Sequence, residues 1–351
     1  MRPLGTLRRW LSRVLRWEQT PEAPRRGPVT HVILLDGTMS SLLPGCESNV
    51  GLTWRLVAAM GSRPDLSLRY ESGIQWTRWS DLRDVIEGRG INRQIRRTYG
   101  YLASRYRPGD RIFLLGYSRG AFAVRSLAGV IDRVGLLRPE HAIERNVSLA
   151  YRHYRGATSP AASAAFRAAH CYPDVPIDFV GCWDTVKALG LRLPLLWRLS
   201  RFEHDFHDHD LGLSVRIARH ALAMDETRNA YAPVMWTVPE GYGGDCRQMW
   251  FRGTHGDVGG QIDGRDDVRP LSNIPLVWML DEAEAAGLPL PPGWRAGFPQ
   301  DPDAPSVGGF SGWSKMFLSR RRRPRLRDPS EALHPSAVAA PAGTAALTGA
   351  S

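Results

Sequence analysis

The sequence predicts an α/β fold in which helices flank a mostly parallel central sheet. Short apolar runs of strand length alternate along the chain with longer segments that carry apolar residues at helical spacing. The clearest of these runs are His31–Leu35, Ile112–Leu115 and Ile177–Trp183. Parallel strands are buried on both faces and are usually joined by helical crossovers, so this alternation indicates the α/β class.

The same patterns place the other elements along the chain. Helical spacing of apolar residues predicts helices over residues 49–60, 91–105, 119–132, 140–170, 213–224 and 274–286. Short apolar runs predict further strands over Leu66–Tyr70, Met235–Val238 and Gln248–Phe251. With 351 residues, 43% of them hydrophobic, the chain is expected to form one folded domain over residues 29–337. A basic arm and linker over residues 1–28 and a disordered tail over residues 338–351 are expected to flank it.

Composition and charge exclude several classes of protein. The net charge is +11, yet only Lys187 and Lys315 are lysines, so arginine carries nearly all the positive charge. Abundant arginine together with alanine, glycine and proline is typical of a GC-rich genome, and no base-reading motif is present, so we expect no nucleic-acid partner. The four cysteines form no C-x-x-C pair, which excludes a zinc ribbon and a disulfide scaffold. No apolar run reaches the length of a bilayer span.

Residues 1–17 carry a basic amphipathic pattern. Apolar residues between Leu4 and Leu15 fall near one helical face, away from Arg8, Arg9, Arg13 and Arg16. Such a helix can lie in a membrane interface, which makes the arm a candidate for peripheral membrane contact. The alternative is a helix docked on its own domain, or a frayed arm. The segment has neither the apolar region nor the cleavage site of a signal peptide, so a cytoplasmic location is expected.

Residues 116–120 form the pentapeptide Gly-Tyr-Ser-Arg-Gly, a G-x-S-x-G motif. The motif lies between a predicted buried strand and a predicted helix, and this context is typical of a nucleophile elbow. Ser118 would then sit on a strained turn with its hydroxyl exposed beside a helix N-terminus. Gly116 and Gly120 would shape the turn by keeping Cβ atoms out of the tight strand–helix crossing.

A serine hydroxyl becomes a nucleophile when a base takes its proton, and the base must itself be oriented by an acid. Asp184 ends one predicted strand, and His255 follows a later one. Parallel strands direct their carboxyl ends to one edge of the sheet, where ligands bind. The order Ser118, Asp184, His255 is the order of nucleophile, acid and base in α/β-hydrolases, so an α/β-hydrolase-like site is predicted.

Each assignment has a competitor. Asp184 could instead cap the next helix, and Asp257, two residues after His255, could serve as the orienting acid. We interpret Asp257 as a site-shaping residue that holds its own glycine-rich turn. His220 competes with His255, but it lies in a segment predicted to be helical and is interpreted as a packed or capping group.

The oxyanion that forms during ester cleavage needs two backbone donors. The first is predicted to be the N–H of Arg119, directly after the nucleophile. The Asp-Gly-Thr turn after the first strand is predicted to supply the second through Gly37 or Thr38. Asp36 is interpreted as a site-shaping residue that holds this turn through hydrogen bonds to backbone N–H groups.

Three further features have two interpretations each. The segment His204–Asp210 could bind a metal, but we favour the interpretation that it is a solvated polar loop, and we therefore predict no metal site. The arginines at positions 320–323, 325 and 327 could bind acidic lipids, or could simply be solvated. Trp76 and Trp79 could line an acyl entrance or belong to the core.

The motifs around Ser118, Asp184 and His255 resemble those of the α/β-hydrolase domain of type VI secretion phospholipase effectors. The resemblance covers about residues 30–337, and its most specific blocks are G-Y-S-R-G-A, W-D-T-V and G-x-H-x-D-V-G-G. It also includes LLDGT at 34–38, SNV at 48–50, the run from Gly88 to Gly129, FVGCWDTVKALG at 179–190, HALAMDETRNAYAPVMW at 220–236, MWFRGTHGDVGGQ at 249–261, LSNIPLVWMLDEA at 271–283 and LHPS at 333–336. The resemblance implies a catalytic triad at Ser118, Asp184 and His255. It also implies that the F-H-D segment at 206–208 is a family feature rather than a metal site.

The resemblance implies ester hydrolysis, and in the studied effectors the acyl esters of phospholipids are the substrate. We therefore expect a serine esterase or phospholipase acting on membrane lipid, with export by a type VI system or membrane association. The steps of such a reaction require no metal or organic cofactor. Two alternatives stay open: an esterase or thioesterase acting on a soluble substrate, and a non-catalytic binding module with a hydrolase fold.

Overall fold

The computed structural model describes residues 26–38, 40, 42–73, 89–186, 210–309 and 319–338. Its centre is a seven-stranded sheet in which every pair of neighbouring strands is parallel, in the order β2-β1-β3-β4-β5-β6-β7. The strands are β1 Thr30–Leu35, β2 Leu66–Glu71, β3 Arg111–Tyr117, β4 Phe179–Trp183, β5 Ile217–Ala223, β6 Asp245–Phe251 and β7 Glu331–Leu333. The predicted α/β class is confirmed.

Helices cover both faces of this sheet. Within the described residues they are α1 Asn49–Ala58, α2 Arg89–Ala103, α3 Arg119–Val134, α4 Glu144–Tyr154, α5 Pro160–His170, α6 His255–Gly259, α7 Arg269–Ala285 and α8 Pro335–Val338. Short 3₁₀ turns occur at Pro139–His141, Asn229–Tyr231, Asp266–Val268 and Trp294–Gly297. No helix among the described residues is both long enough and apolar enough to cross a bilayer.

The alternation of side chains along each strand divides the core into two layers. Ile33 and Leu35 of β1 belong to the layer formed with α2–α5. Val32 and Leu34 of the same strand belong to the layer formed with α1 and α7. Both sets are fully buried, which explains why the predicted strands are continuous apolar runs rather than alternating ones.

Two predicted elements are wrong. Residues 213–224 were expected to be helical, but Ile217–Ala223 forms strand β5 in the middle of the sheet. Arg219 and His220 break its apolar pattern, and both are buried because each finds polar partners: Arg219 pairs with Glu282 and Asp245, each at 2.6 Å, and His220 accepts a backbone hydrogen bond.

Met235–Val238 forms no strand of the sheet. Its backbone instead pairs with the side chain of Gln248, whose amide accepts from the N–H of Trp236 at 2.9 Å and donates to the carbonyl of Trp236 at 3.1 Å. The sequence does not predict strand β7, because a strand of three residues that begins with a glutamate produces no apolar pattern. The predicted arm (1–17), Trp76 and Trp79 lie outside the described residues, as does the predicted tail beyond Val338.

Candidate active site

Ser118 lies between the end of β3 and the start of α3, as the G-x-S-x-G motif predicts. Its backbone has φ 56° and ψ −119°, a conformation that L-residues rarely adopt, that costs about 1–3 kcal/mol and that persists only where the surrounding structure imposes it. The N–H of Ser118 donates to the carbonyl of Trp183 in β4 at 2.9 Å, which ties the turn to the neighbouring strand. The residue is 7% exposed, so the turn presents a hydroxyl at a nearly closed surface.

The two glycines of the motif are required by close backbone contacts. A Cβ atom on Gly120 would lie 2.1 Å from the carbonyl oxygen of Leu35 and 2.6 Å from that of Asp36. A Cβ atom on Gly116 would lie 2.6 Å from the carbonyl oxygen of Gly120. Helix α3 therefore crosses β1 and β3 at a distance that only glycine permits at these two positions.

The structure brings Ser118, His255 and Asp184 together. The His255 ring has Nε2 at 2.9 Å from the Ser118 hydroxyl and Nδ1 at 2.6 Å from Asp184 Oδ2. An ionised carboxylate can only accept, so Nδ1 carries the proton and Nε2 is left to accept from the hydroxyl. His255 is 4% exposed and Asp184 is fully buried. The chain of hydrogen bonds can move a proton from the serine to the imidazole.

Asp184 follows the last residue of β4 and also has a positive φ, 42°. Its Oδ1 accepts from the N–H of Ala223 at 3.0 Å and from Nη1 of Arg323 at 2.6 Å. Its Oδ2 accepts from Nη2 of Arg323 at 2.9 Å as well as from His255. Burial by itself would raise the pKa of Asp184, but the charge of Arg323 and these hydrogen bonds outweigh it and hold the pKa well below its usual range.

Arg323 is the residue at this site that sequence reasoning missed. In the sequence it is one of several arginines between positions 320 and 327, and such a run is usually a solvated surface. The structure leaves Arg321, Arg322, Arg325 and Arg327 exposed but leaves only 4% of the Arg323 side chain accessible. The run contains no signal that separates Arg323 from its neighbours, because its burial depends on a contact with residues far away in the chain.

Two tyrosine rings and an acidic group surround the imidazole of His255. The ring centroids of Tyr117 and Tyr231 lie 4.9 and 4.8 Å from that of His255. The N–H of His255 donates to Glu226 Oε2 at 3.3 Å, and Glu226 is itself paired with the guanidinium of Arg228. The tyrosine rings restrict the orientation of the imidazole, and the Glu226–Arg228 pair anchors its backbone.

The Asp-Gly-Thr turn lies beside Ser118, since a Cβ atom on Gly37 would meet the Ser118 Cβ at 3.3 Å. The N–H of Gly37 donates to Asp36 Oδ1 at 2.7 Å, which engages one of the two predicted oxyanion donors of the turn. Asp36 also accepts from Ser48 at 2.6 Å and from Tyr70 at 2.8 Å. Burial raises the pKa of Asp36 despite these hydrogen bonds. The carboxylate of Asp36 thus contacts the turn directly, and Thr38 remains as the second candidate donor.

Asp257 contacts its own turn and a distant loop rather than the imidazole of His255. Its Oδ2 accepts from the N–H and the hydroxyl of Thr254, at 2.7 and 2.8 Å, and so caps the start of α6. The same carboxylate binds the hydroxyl of Ser306 at 2.6 Å and the N–H of Val307 at 2.7 Å. These contacts hold the start of α6, whose first residue is His255.

His220 lies behind the acid, in β5 rather than in the predicted helix. Its Nε2 accepts from the N–H of Thr185, next to Asp184, at 3.1 Å. Burial, assisted by the charge of Arg125, lowers the pKa of His220 to about 3, so this ring stays neutral. His220 supports the turn that carries Asp184, whereas the Ser118 hydroxyl is hydrogen-bonded to His255.

No cluster of three or more metal-ligating side chains occurs in the part of the chain that the structure describes. The segment proposed as an alternative metal site, His204–Asp210, lies outside it except for Asp210. A cavity of about 200 Å³ is lined by Arg125, Asp132, Tyr154 and Trp236 among others, and includes none of Ser118, Asp184 and His255.

The chain is similar to two solved structures and, in sequence, to one yeast protein. A solved structure of the Tle1 effector bound to the VgrG spike of the type VI secretion system has a TM-score of 0.40 and 17% identity, over 68% of this chain and 52% of that one. An uncharacterized protein from Pseudomonas aeruginosa has a TM-score of 0.46 and 17% identity, over 86% of this chain and 53% of that one. An uncharacterized protein of Saccharomyces cerevisiae is 30% identical over 172 residues, 45% of this chain and 23% of that protein.

The chain thus spans about half the length of these solved structures and less than a quarter of the yeast protein. The family model for the catalytic domain of Tle1-like type VI secretion phospholipase effectors matches residues 30–282. The match begins at β1 and includes Ser118, Asp184 and His255, so it contains the three side chains that the structure brings together. The chain belongs to the family of Tle1-like phospholipase effector catalytic domains.

Proposed function

We propose that this protein is a serine hydrolase that cleaves carboxylic esters through Ser118, His255 and Asp184. The observation that carries the proposal is the continuous hydrogen-bonded chain from the serine hydroxyl through the imidazole to a buried carboxylate, with distances of 2.9 and 2.6 Å. The strained backbone at Ser118 supports it, because positive φ at a non-glycine residue is concentrated at functional sites.

In the proposed reaction, the Ser118 hydroxyl attacks the ester carbonyl while His255 Nε2 takes its proton. Asp184 holds the imidazole in the tautomer that leaves Nε2 free and stabilises the imidazolium that forms. The oxyanion is held by the N–H of Arg119, which at the first turn of α3 has no partner within the helix, and by the N–H of Thr38. The imidazolium then donates its proton to the leaving alcohol, and water activated by His255 cleaves the acyl-enzyme.

The substrate that we propose is a phospholipid, in agreement with the family to which the chain belongs. The Arg119 side chain adjoins the nucleophile and has no carboxylate partner among the described residues. Burial lowers the pKa of Arg119 to about 10, so the group stays charged at neutral pH and can pair with a phosphate. The exposed arginines at 321, 322, 325 and 327 add positive charge near the site, which favours an anionic lipid surface.

We further propose that a type VI system exports this protein, because its family is one of type VI secretion effectors. The solved Tle1 effector is bound to a VgrG spike, and a spike protein is the partner that this relationship suggests for our chain. Co-purification of the chain with the spike proteins of its own cell would test this. Absence of any such complex would contradict this route of export and leave the hydrolase proposal intact.

The replacement Ser118→Ala tests the chemistry. We expect it to reduce hydrolysis of a short acyl ester by at least about 10³-fold, because the nucleophile is lost while the fold is retained. A fluorophosphonate probe should label the wild type and not the variant. The control is Ser104→Ala, which removes an exposed hydroxyl and should leave both readouts unchanged. Equal activity in Ser118→Ala and the wild type would exclude Ser118 as the nucleophile.

The substrate class is tested by comparing a phospholipid with a diacylglycerol of the same acyl chains. We expect release of fatty acid from the phospholipid to be faster, since only this substrate carries a phosphate for Arg119. Hydrolysis of soluble esters alone would favour the soluble esterase or thioesterase instead. A wild type that neither hydrolyses any ester nor reacts with the probe would favour a non-catalytic binding module.

A further inference from the structure

The segment Ser319–Val338, which we call the C-terminal strap, packs against the residues that surround the imidazole. Its first residues run beside the turn after β5: the carbonyl of Ser319 accepts from the N–H of Asn229 at 3.0 Å, and the N–H of Arg321 donates to Thr227 at 2.7 Å. Its later part forms β7 on β6. The strap is thus held at two places, and Arg323 lies between them.

Arg323 reaches from the strap into the site, where most of its N–H groups find hydrogen-bond acceptors. The guanidinium binds both oxygens of Asp184, at 2.6 and 2.9 Å, and also the carbonyls of Ala223 (2.9 Å) and Tyr231. Two parallel N–H donors on one carboxylate form the bidentate geometry that specifies orientation as well as energy. The two carbonyls also hold the guanidinium in place, because both are fixed backbone groups. One belongs to the end of β5 and the other to the 3₁₀ turn Asn229–Tyr231.

Without Arg323, the described structure leaves Asp184 with few donors. The backbone N–H of Ala223 would be the remaining partner of Oδ1, and His255 the remaining partner of Oδ2. A fully buried carboxylate with so few partners is costly, and it would rotate or admit water to recover hydrogen bonds. Either change would misplace the oxygen that orients His255.

We propose that Arg323 is a positioning residue of this active site, which holds the carboxylate of Asp184 in the orientation that aligns His255 with Ser118. This inference rests on the proposed function, since it assigns Arg323 a role in the same reaction. It also extends the active site beyond the family match, because the matched region ends at residue 282 and Arg323 comes from the strap.

The charge of Arg323 should also appear in the pH dependence of the reaction. The charged and titratable groups that face the imidazole are Asp184, Glu226 with Arg228, Tyr117, Tyr231 and, through Asp184, Arg323. Asp184 itself faces Arg323, His255 and, behind it, His220. Arg323 is a cation bound to both oxygens of Asp184, and its charge helps to hold the pKa of this buried carboxyl well below its usual range. Its removal should raise that pKa and therefore move the acidic limb of the kcat/KM profile to higher pH, by about one pH unit.

The experiment compares Arg323→Ala and Arg323→Lys with Arg152→Ala in the full chain, using a short acyl ester and the fluorophosphonate probe. We expect Arg323→Ala to lower kcat by about 100-fold, because small misplacements of catalytic groups have effects of this size. Arg323→Lys keeps the charge but loses the bidentate contact, so its acidic limb should stay near that of the wild type while kcat falls. Arg152→Ala, which removes an exposed arginine of α4, should behave as the wild type.

Added guanidinium at low millimolar concentration should restore activity to Arg323→Ala, because it can occupy the space that the side chain leaves. The same concentration of potassium chloride should not. This rescue separates positioning from a general loss of folded protein, and thermal melting of each variant accompanies it. If Arg323→Ala fails to fold, Arg323→Lys carries the test through its kcat.

The outcomes separate this inference from the proposed function. Wild-type kcat and an unmoved acidic limb in Arg323→Ala would overturn the role of Arg323 while the esterase remains. If the alanine variant cannot be obtained folded, wild-type kcat in Arg323→Lys would do the same. A wild type that is neither active nor labelled would overturn the proposed function, and with it the role of Arg323. Loss of activity in Arg152→Ala equal to that in Arg323→Ala would also overturn the specific assignment.

Discussion

At Gly120, the absence of a side chain permits the close crossing between helix α3 and strand β1. The carbonyl oxygens of Leu35 and Asp36 occupy the space into which a Cβ atom would project. Both are backbone atoms of a buried strand end, so they cannot move aside as a flexible side chain would. The same crossing supports the strained turn at Ser118, which links the packing of one residue to the position of the proposed nucleophile.

The replacement Gly120→Ala should therefore destabilise the protein by about 1–3 kcal/mol, the usual cost of overpacking. It should also lower ester hydrolysis, because relief of the clash must move either the turn at Ser118 or the end of β1. The control is Gly297→Ala, since a Cβ atom there would meet nothing within 4 Å. The free energy of unfolding is measured by urea denaturation, and ester hydrolysis is measured separately on the folded protein without urea. An unfolding free energy equal to that of the control would contradict the packing argument.

At the scale of elements, the carboxylate of Glu226, which forms a buried ion pair with Arg228 in the turn after β5, joins this turn to the N-terminus of α6. Glu226 binds the N–H and Nε of Arg228 at 2.8 and 2.9 Å, and it accepts from the N–H of His255. Burial alone would raise the pKa of Glu226, but the hydrogen bonds and charge of Arg228 outweigh it and lower the pKa. The pair therefore stabilises the ionised carboxylate in the folded state.

A carboxyl group with a lowered pKa in the folded state stabilises the protein above its unfolded pKa of about 4.3, and this stabilisation is lost as the pH falls toward the folded value. The replacement Glu226→Gln should lower the free energy of unfolding by about 2 kcal/mol at pH 7. The deficit should shrink between pH 5 and pH 3, because protonated glutamate resembles glutamine.

Unfolding of the wild type and of Glu226→Gln in urea at several pH values measures this difference. Glu240→Gln, at an exposed position, serves as the control and should show a much smaller deficit at every pH. A deficit for Glu226→Gln that is equally large at pH 3 and pH 7 would mean that the charge of Glu226 does not stabilise the turn.

At the scale of the whole molecule, the parallel sheet collects residues that are far apart in the sequence. Ser118 follows β3, Asp184 follows β4 and His255 comes shortly after β6, so all three lie at the carboxyl edge of one sheet. In open parallel sheets this edge is where ligands bind. The C-terminal strap adds Arg323 to the same edge and exposes further arginines beside it.

Deletion of residues 1–28 tests the predicted arm, whose residues 1–25 lie outside those that the structure describes. We expect the full chain to float with liposomes containing anionic phosphatidylglycerol, because a basic amphipathic helix binds such an interface. The deletion should weaken this flotation and leave hydrolysis of a short soluble ester unchanged. Flotation that is unaffected by the deletion would indicate that the arm is not the membrane contact and would direct attention to the arginines of the strap.

Much of the site was predictable because its signals are local. The motif around Ser118 needs a strand, a tight turn and a helix in immediate succession, and each is visible in a few consecutive residues. Asp184 and His255 followed from the rule that parallel strands share one carboxyl edge. Strand β5 was mistaken for a helix because Arg219 and His220 disrupt its apolar pattern, and their burial depends on partners from β6, α7 and the turn after β4.

By itself, the sequence determined the α/β class, the succession of strand, turn and helix around Ser118 and the order of the three proposed catalytic residues, since these depend on short-range patterns and on a general property of parallel sheets. Only the tertiary structure decided that Arg323 holds Asp184 and that β7 pairs with β6. Each of these is a contact whose partner is chosen by packing. A run of arginines has the same pattern whether its members face solvent or a buried carboxylate.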